Sequence, residues 1–452
     1  MNDTSQGLKR LLGRWDSIAI TIGIVIGVGI FRVPAEVAKY LTSPSLIILA
    51  WFVAGIICLL GALCYSELSS SFPQTGGNYI YLRESYGRGV GFLFGWTELL
   101  VVRTGSIAAV AFISGQYLQS FLALDKLPVK LIATSVVFIL SFINILGLRP
   151  GKIFQNLSTL AKTLALIAII ILGLSSREGS LSNFLPILGT VDKKILTSFG
   201  LALIPILWTY GGWHESTFVT EETKDYRRSL PFSLITAILI VTFIYTAINL
   251  VYIYLVPVRE IASSELIASN VMQILYGAKA RKILEILVII SSLGCINGMI
   301  ITGSRVTYAI AKDNPIFRYL GEINPRHSVP SRSILINAIW ATVLIIWGTF
   351  NQLLFFTGIA VWLFFALAVA GLFILRYKYP QLERPFKVWG YPIVPAVFVL
   401  ICAALVINTL FFYPIESLFG LCLMLSGVPV FIFSQRRKEA GLIKRDQKMR
   451  EF

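Results

Sequence analysis

The stretch I-G-I-V-I-G-V-G-I-F, residues 22–31, decides how this chain is read. Gly23, Gly27 and Gly29 interrupt a run otherwise apolar enough for the interior of a bilayer. Glycine inside a helix is less favourable than alanine by about 0.8–1.0 kcal/mol. In hydrocarbon, a broken helix also leaves backbone N–H and C=O groups without partners. A break in such a place calls for a use.

The run is one of many. The chain has 452 residues, 56% hydrophobic and 14% charged, with apolar stretches along nearly its whole length. That pattern is a polytopic membrane protein, and no soluble domain is visible. The net charge of +16 is spread over the connections between apolar segments rather than gathered in a patch, so nucleic acid is not an expected partner. Residues 1–14 are polar, Lys9, Arg10 and Arg14 precede the first apolar run, and no small-residue cleavage site follows. No cleaved signal peptide is expected. Cys58, Cys64, Cys295, Cys402 and Cys422 all fall in apolar segments, so no structural disulfide is expected.

A membrane span needs about 20 apolar residues. Twelve are expected, at about 15–40, 46–69, 90–121, 129–147, 153–175, 195–220, 231–256, 282–308, 332–349, 352–376, 391–412 and 415–434. Basic residues number 25 on the side of the termini and 11 on the other, which puts both termini in the cytoplasm. The expected organisation is a cytoplasmic N-terminal segment (1–14), a first repeat of five spans (15–175), a second of five (195–376), two further spans (390–434) and a basic cytoplasmic tail (435–452).

A second break matches the first. The sixth span contains I-L-W-T-Y-G-G-W-H-E, residues 206–215, with Gly211 and Gly212 deep in an apolar run. Each repeat therefore opens on an interrupted helix, the sequence pattern that points to a transporter site near the bilayer midplane. A plainer reading takes Gly23 and Gly27 as a GxxxG packing pair. Two breaks five spans apart make packing alone the weaker account. Gly27-Val28-Gly29 is not a dinucleotide fingerprint, because residue 32 is arginine and no βαβ unit surrounds it. Unwinding frees amides at the start of one half-helix, which suit a carboxylate, and carbonyls at the end of the other, which suit an ammonium. Both poles together fit a zwitterionic α-amino acid.

The motifs IGVGIF, CYSELSSSFPQTGGNYIYLRESYG (64–87), GWTELLVVR (95–103), WTYGGWHESTFVTEE (208–222), CINGMIITGSR (295–305) and YPQLERPFKV (379–388) resemble the L-amino-acid transporter family. That family lies within the amino acid–polyamine–organocation superfamily, and the resemblance covers about residues 15–436. It implies an all-α LeuT-type fold: a 5+5 inverted repeat with spans 1 and 6 broken. It implies that the amides of Val28 and Gly29 hold a substrate carboxylate. The carbonyls of Val25, Trp208 and Gly211 would hold its amino group, with Trp208 as a gating aromatic. Trp362 matches a pocket wall, and Cys295 is a further candidate for the lining. The chain departs from the pattern at Val28, where a small or hydroxyl residue is common. It departs also at His214 and Val361, where asparagine occurs in relatives. Eukaryotic members bond to a glycoprotein through a cysteine after span 3. Here that loop, A-L-D-K-L-P-V-K (123–130), has none, so no disulfide-linked partner is expected. The chain in this respect resembles the alanine–serine–cysteine exchangers of bacteria, working in the plasma membrane.

Charges within spans need accounts of their own. Lys162 lies nine residues into span 5, about 14 Å deep at 1.5 Å per residue. A lone lysine there costs roughly 2.5–3.5 kcal/mol on insertion scales, so it needs a partner or water. It could cap carbonyls of neighbouring helices. By resemblance, its ammonium stands where LeuT-type symporters bind sodium, with contacts to the broken part of span 1 and to hydroxyls such as Ser291 or Ser292. Glu98 and Arg103 are five apart, do not share a helix face well, and are each expected to pair elsewhere in a structural role. Residues 219–228 form a charged cluster at the cytoplasmic side. His214 is expected to serve as a hydrogen-bonding scaffold and His327 to lie in a loop.

These readings converge on a sodium-independent exchanger of neutral amino acids with no cofactor or metal. The expected lining of Val28, Trp208, Cys295, Val361 and Trp362 carries no charge, which favours alanine, serine and cysteine first and leucine-sized residues second. A membrane enzyme would need clustered catalytic groups, and two histidines 113 positions apart do not supply them. Proton-coupled uptake and a non-transporting amino-acid sensor are the alternatives.

Overall fold

The computed structural model describes residues 13–435, apart from 75, 147–148, 186–194, 265, 315–316, 323 and 325–328. His327 and the basic tail from residue 436 lie outside the described residues. The helices are α1 (Arg14–Val25), α2 (Val33–Tyr40), α3 (Pro44–Ser71), α4 (Asn78–Tyr86), α5 (Arg88–Thr97), α6 (Arg103–Leu122), α7 (Val129–Ile145) and α8 (Arg149–Leu174). They continue with α9 (Ile195–Thr209), α10 (Tyr226–Leu255), α11 (Val258–Ser263), α12 (Ile267–Asp313), α13 (Ser331–Trp347), α14 (Phe350–Lys378), α15 (Ile393–Phe412) and α16 (Pro414–Leu425). Helix occurs within each of the stretches expected to span, interrupted in the first and the sixth. Among the described residues eight helical stretches are long and apolar enough to cross a membrane, and three shorter apolar helices cover 129–145, 159–174 and 331–347. This all-α architecture agrees with the fold implied by the resemblance.

The outer surface is apolar where a soluble protein would be polar. Phe138, Ile139 and Phe142 of α7, Phe243 of α10, Ile346 of α13 and Leu400 and Phe411 of α15 are all exposed. An apolar surface of this extent suits hydrocarbon, not water. Inside, α10 packs on α3 and α1, α12 on α6, α7 and α8, and α14 on α15, α6 and α4. Small residues let these backbones approach. A Cβ at Gly23 would meet Thr159 Oγ1 at 2.4 Å, so Gly23 does serve the packing of α1 against α8.

Both interruptions are present. α1 ends at Val25, Ile26 leaves helical geometry at φ −69°, ψ 77°, and a short 3-10 turn spans Gly29–Phe31 before α2. α9 contains Pro205, ends at Thr209, and is followed by a 3-10 segment, Trp213–Glu222. Proline lacks an N–H and weakens the helix just before its end.

At one end of the molecule a buried carboxylate ties distant segments together. Glu67 of α3 accepts from Arg376 Nε at 2.9 Å and Nη2 at 2.6 Å, and from the amide of Val388 at 2.8 Å. Arg384 Nε approaches it at 3.4 Å. Arg376 also lies over the ring of Tyr391 at 3.6 Å. The connection between α14 and α15 is thereby strapped beneath α3.

Candidate substrate-binding site

The two breaks touch. Gly212 has φ +91°, a left-handed conformation natural to glycine, and a Cβ there would also meet Ile24 Cγ2 at 2.5 Å. A Cβ on Gly29 would meet Thr209 Oγ1 at 2.8 Å. Glycine at both positions lets the interrupted helices close on each other. Between them opens a cavity.

That cavity gathers residues from α1, the turn after it, α9, α12 and α14. Val25, Gly27, Val28, Gly29, Trp208, Gly211, Gly212, Cys295, Val361 and Trp362 all line it. The amides of Val28 and Gly29, at the start of the 3-10 turn, have no acceptor among the described residues. The carbonyl of Trp208 already accepts from Gly211 N at 2.9 Å, closing the turn at the second break. The Trp208 ring stands edge-on to Phe350 at 5.7 Å, and Trp362 packs edge-on to Phe365 at 5.5 Å.

Lys162 is fully enclosed, about 20 Å along α8 from Arg149 at 1.5 Å per residue. Its Nζ donates to the carbonyl of Gly23, in the last turn of α1, and lies 3.8 Å from Cys295 Sγ. It thus joins α8, α1 and α12. Ser291 and Ser292 are not its partners: Ser292 Oγ donates to Ile289 O at 2.7 Å, and Ser291 Oγ has no partner among the described residues. Cys295, one turn further along α12, takes the place expected for them.

Glu98 and Arg103 pair with each other, against the expectation from their spacing. Arg103 Nη2 donates to Glu98 Oε1 at 2.6 Å. The cause is local: Glu98–Val102 form a π-helical turn, and Arg103 N donates to Glu98 O. An i→i+5 turn aligns residues five apart, and such turns are frequent at functional sites. Arg103 Nη1 donates to Glu215 Oε1 at 3.0 Å, while Thr302 Oγ1 donates to Glu215 Oε2 at 3.0 Å. Gly303 makes room, since a Cβ there would meet Arg103 Cγ at 2.7 Å. Glu98, Arg103, His214 and Glu215 all line the cavity, so its wall is not free of charge as expected. The 3-10 turn that follows Gly212 turns His214 and Glu215 inward, which helical periodicity does not anticipate. His214 packs against Phe365 at 4.8 Å and against Trp213 and Phe218, the aromatic frame of this wall.

Sequence reasoning misses Tyr245. From α10 its hydroxyl donates to Val25 O at 2.8 Å and approaches Thr209 O at 3.4 Å, the last carbonyls of α1 and α9. The available signal is a tyrosine within an apolar run, whose hydroxyl needs a partner when buried. Tyr245→Phe is expected to lower stability by about 0.5–1.5 kcal/mol, the net worth of a hydrogen bond, and to slow transport by loosening both helix ends. Thermal unfolding in detergent beside uptake in proteoliposomes checks it; unchanged values in both would deny the bridge its role.

Paired broken helices facing one cavity, in an all-helical apolar shell, define a membrane transporter. Residues 12–424 match the family described as amino acid permease, and the chain belongs to that family. It is 32% identical over 429 residues to the b(0,+)-type amino acid transporter 1 of Homo sapiens, covering 93% of this chain and 87% of that one. It is 31% identical over 435 residues to the large neutral amino acids transporter small subunit 2 of Mus musculus, covering 94% of this chain and 81% of that one. These relatives support the L-amino-acid transporter branch inferred from the motifs.

Proposed function

We propose that this protein is a sodium-independent exchanger of small to medium neutral L-amino acids, working by alternating access in the plasma membrane with both termini cytoplasmic. The observation that carries the reading is the meeting of the two breaks. It puts the unclaimed amides of Val28 and Gly29 on the same cavity as the helix-end carbonyls of α1 and α9. The amides take the carboxylate, and the carbonyls of Val25 and Gly211 take the ammonium. The Val25 carbonyl already accepts from Tyr245 Oη and from Gly27 N at 2.6 Å, so it takes the ammonium only as one of these bonds opens in the transport cycle.

Neutral side chains are supported because Arg103 is already engaged by both carboxylates, which leaves it unable to offer a full charge to an acidic ligand. Sodium independence is supported by Lys162, an ammonium that already ties α8 to the last turn of α1. One relative is named as a small subunit, yet the loop at residues 123–130 lacks a cysteine, so a disulfide-linked partner is not part of this proposal.

The test is competition for labelled alanine counterflow in proteoliposomes, with and without sodium. Free alanine, serine and cysteine are expected to compete, whereas methyl esters and N-acylated analogues are not, since each removes one pole. Inhibition by the blocked analogues equal to that by the free amino acids would overturn the two-pole site.

A further inference from the structure

The cluster of Glu98, Arg103 and Glu215 holds two carboxylates and one cation. Arg103 divides its guanidinium between them, and Thr302 supplies a neutral donor to Glu215. Glu98 is only 4% exposed, it lines the cavity, and its Oε2 has no partner among the described residues. Arg103 and Glu215 are the charged groups that act on Glu98. His214 adjoins Glu215 and presents an Nδ1 with no partner among the described residues. On α12 the titratable group that lines the cavity is Cys295, and from α8 Lys162 is committed to Gly23 O. The lining residues from α14 (Gly358, Val361, Trp362 and Phe365) and from α1 carry no titratable group.

An excess negative charge in so enclosed a place is costly. A buried ion without compensation ordinarily neutralises instead. We propose that the cluster binds one proton, shared between the carboxylates of Glu98 and Glu215, and exchanges it with the water of the cavity during each transport cycle. The unclaimed oxygen of Glu98 gives the proton a way in. The arrangement also gives it a reason to move. Glu215 lies on the segment beyond the break in span 6, whereas Glu98 opens the π turn before α6, Arg103 begins α6 and Thr302 lies on α12. A displacement of the broken segment against α6 and α12 changes the Arg103–Glu215 contact, and with it the affinity for the proton. The two carboxylates titrate as a coupled pair, so the proton belongs to the cluster rather than to one residue. Its coupling to transport rests on the exchange reading above; the proton site itself does not.

The first arm of the test needs no transport. Infrared difference titration of the purified full-length protein is expected to show one protonated carboxyl C=O band that persists above about pH 5, beyond the ordinary carboxylate range. Glu98→Gln and Glu215→Gln each leave a balanced one-to-one pair and are both expected to remove it. In the second arm, wild type and Glu98→Gln are reconstituted and labelled alanine counterflow is followed across pH. The wild-type rate is expected to vary between about pH 5 and 9, the span open to a buried carboxyl, and the variant's rate to be flat. Absence of a band that either variant removes overturns the site. Wild-type counterflow that is flat with pH overturns the coupling. A band without any alanine counterflow upholds the site and counts against the exchange reading instead. Preference for lysine over alanine in wild type, with no band and with loss of that preference in Glu98→Gln, overturns the proposal in favour of a subsite for cationic side chains.

Discussion

Lys162→Ala lowers alanine counterflow by roughly 10- to 150-fold while the protein still folds and inserts. The magnitude follows from the hydrogen bond that the substitution removes. A hydrogen bond made by a charged group contributes about 1.5–3 kcal/mol, and each 1.4 kcal/mol is a factor of ten in an equilibrium. The bond to Gly23 O reaches the last turn of α1, two residues before the break, so its removal falls on the balance between conformations. Global stability need not follow, because removing a deep lysine also removes an insertion cost of about 2.5–3.5 kcal/mol. The measurement is counterflow in sodium-free proteoliposomes beside thermal unfolding in detergent. Normal counterflow in the variant would reject the role assigned to Lys162. Loss of fold together with activity would make the lysine a structural cap only.

Arg103→Met is expected to cost about 3–5 kcal/mol of stability, the range for breaking a buried ion pair by removing one partner. Two carboxylates, Glu98 and Glu215, then face each other with no guanidinium between them. Arg103→Lys should recover only part of the loss, since an ammonium is a point charge and cannot reproduce the planar fork that reaches both acids. The triple variant Glu98→Gln/Arg103→Met/Glu215→Gln, with no charge left, should be more stable than Arg103→Met. Unfolding in detergent orders the variants. A single Arg103→Met change within about 0.5 kcal/mol of wild type, the level of an inconsequential surface substitution, would show that the cluster does not hold the wall together.

Much of this architecture is legible before any coordinates. Runs of about 20 apolar residues locate the spans because hydrocarbon admits little else. The breaks are legible because glycine clusters within such runs have few other uses, and Gly212 with its φ of +91° bears out the physical reason. What stays hidden is local geometry that departs from the regular helix. The π turn at Glu98–Val102 brings residues five apart onto one face, so pairing rules built on three- and four-residue spacings separate Glu98 from Arg103. The 3-10 segment from Trp213 rotates His214 and Glu215 into the cavity, and helical periodicity cannot foresee that. Cys295 rather than Ser291 or Ser292 faces Lys162, a difference of one helical turn that depends on how α12 is rotated about its axis. Partnerships across the fold, such as Tyr245 with Val25, are set by tertiary packing and leave only an unexplained polar group in the sequence.

The strap around Glu67 has a consequence for biosynthesis. Its guanidinium partner lies 309 residues further along the chain. At about 5–20 residues per second, a ribosome needs roughly 15–60 s to travel from one to the other. Throughout that interval α3 carries a carboxylate whose closing arginine has not yet been made. The amide of Val388 arrives later still. Only a chain synthesised through the connection after α14 can shut the clasp. A product truncated before Arg376 leaves the Glu67 carboxylate at the end of α3 without the guanidinium that closes it.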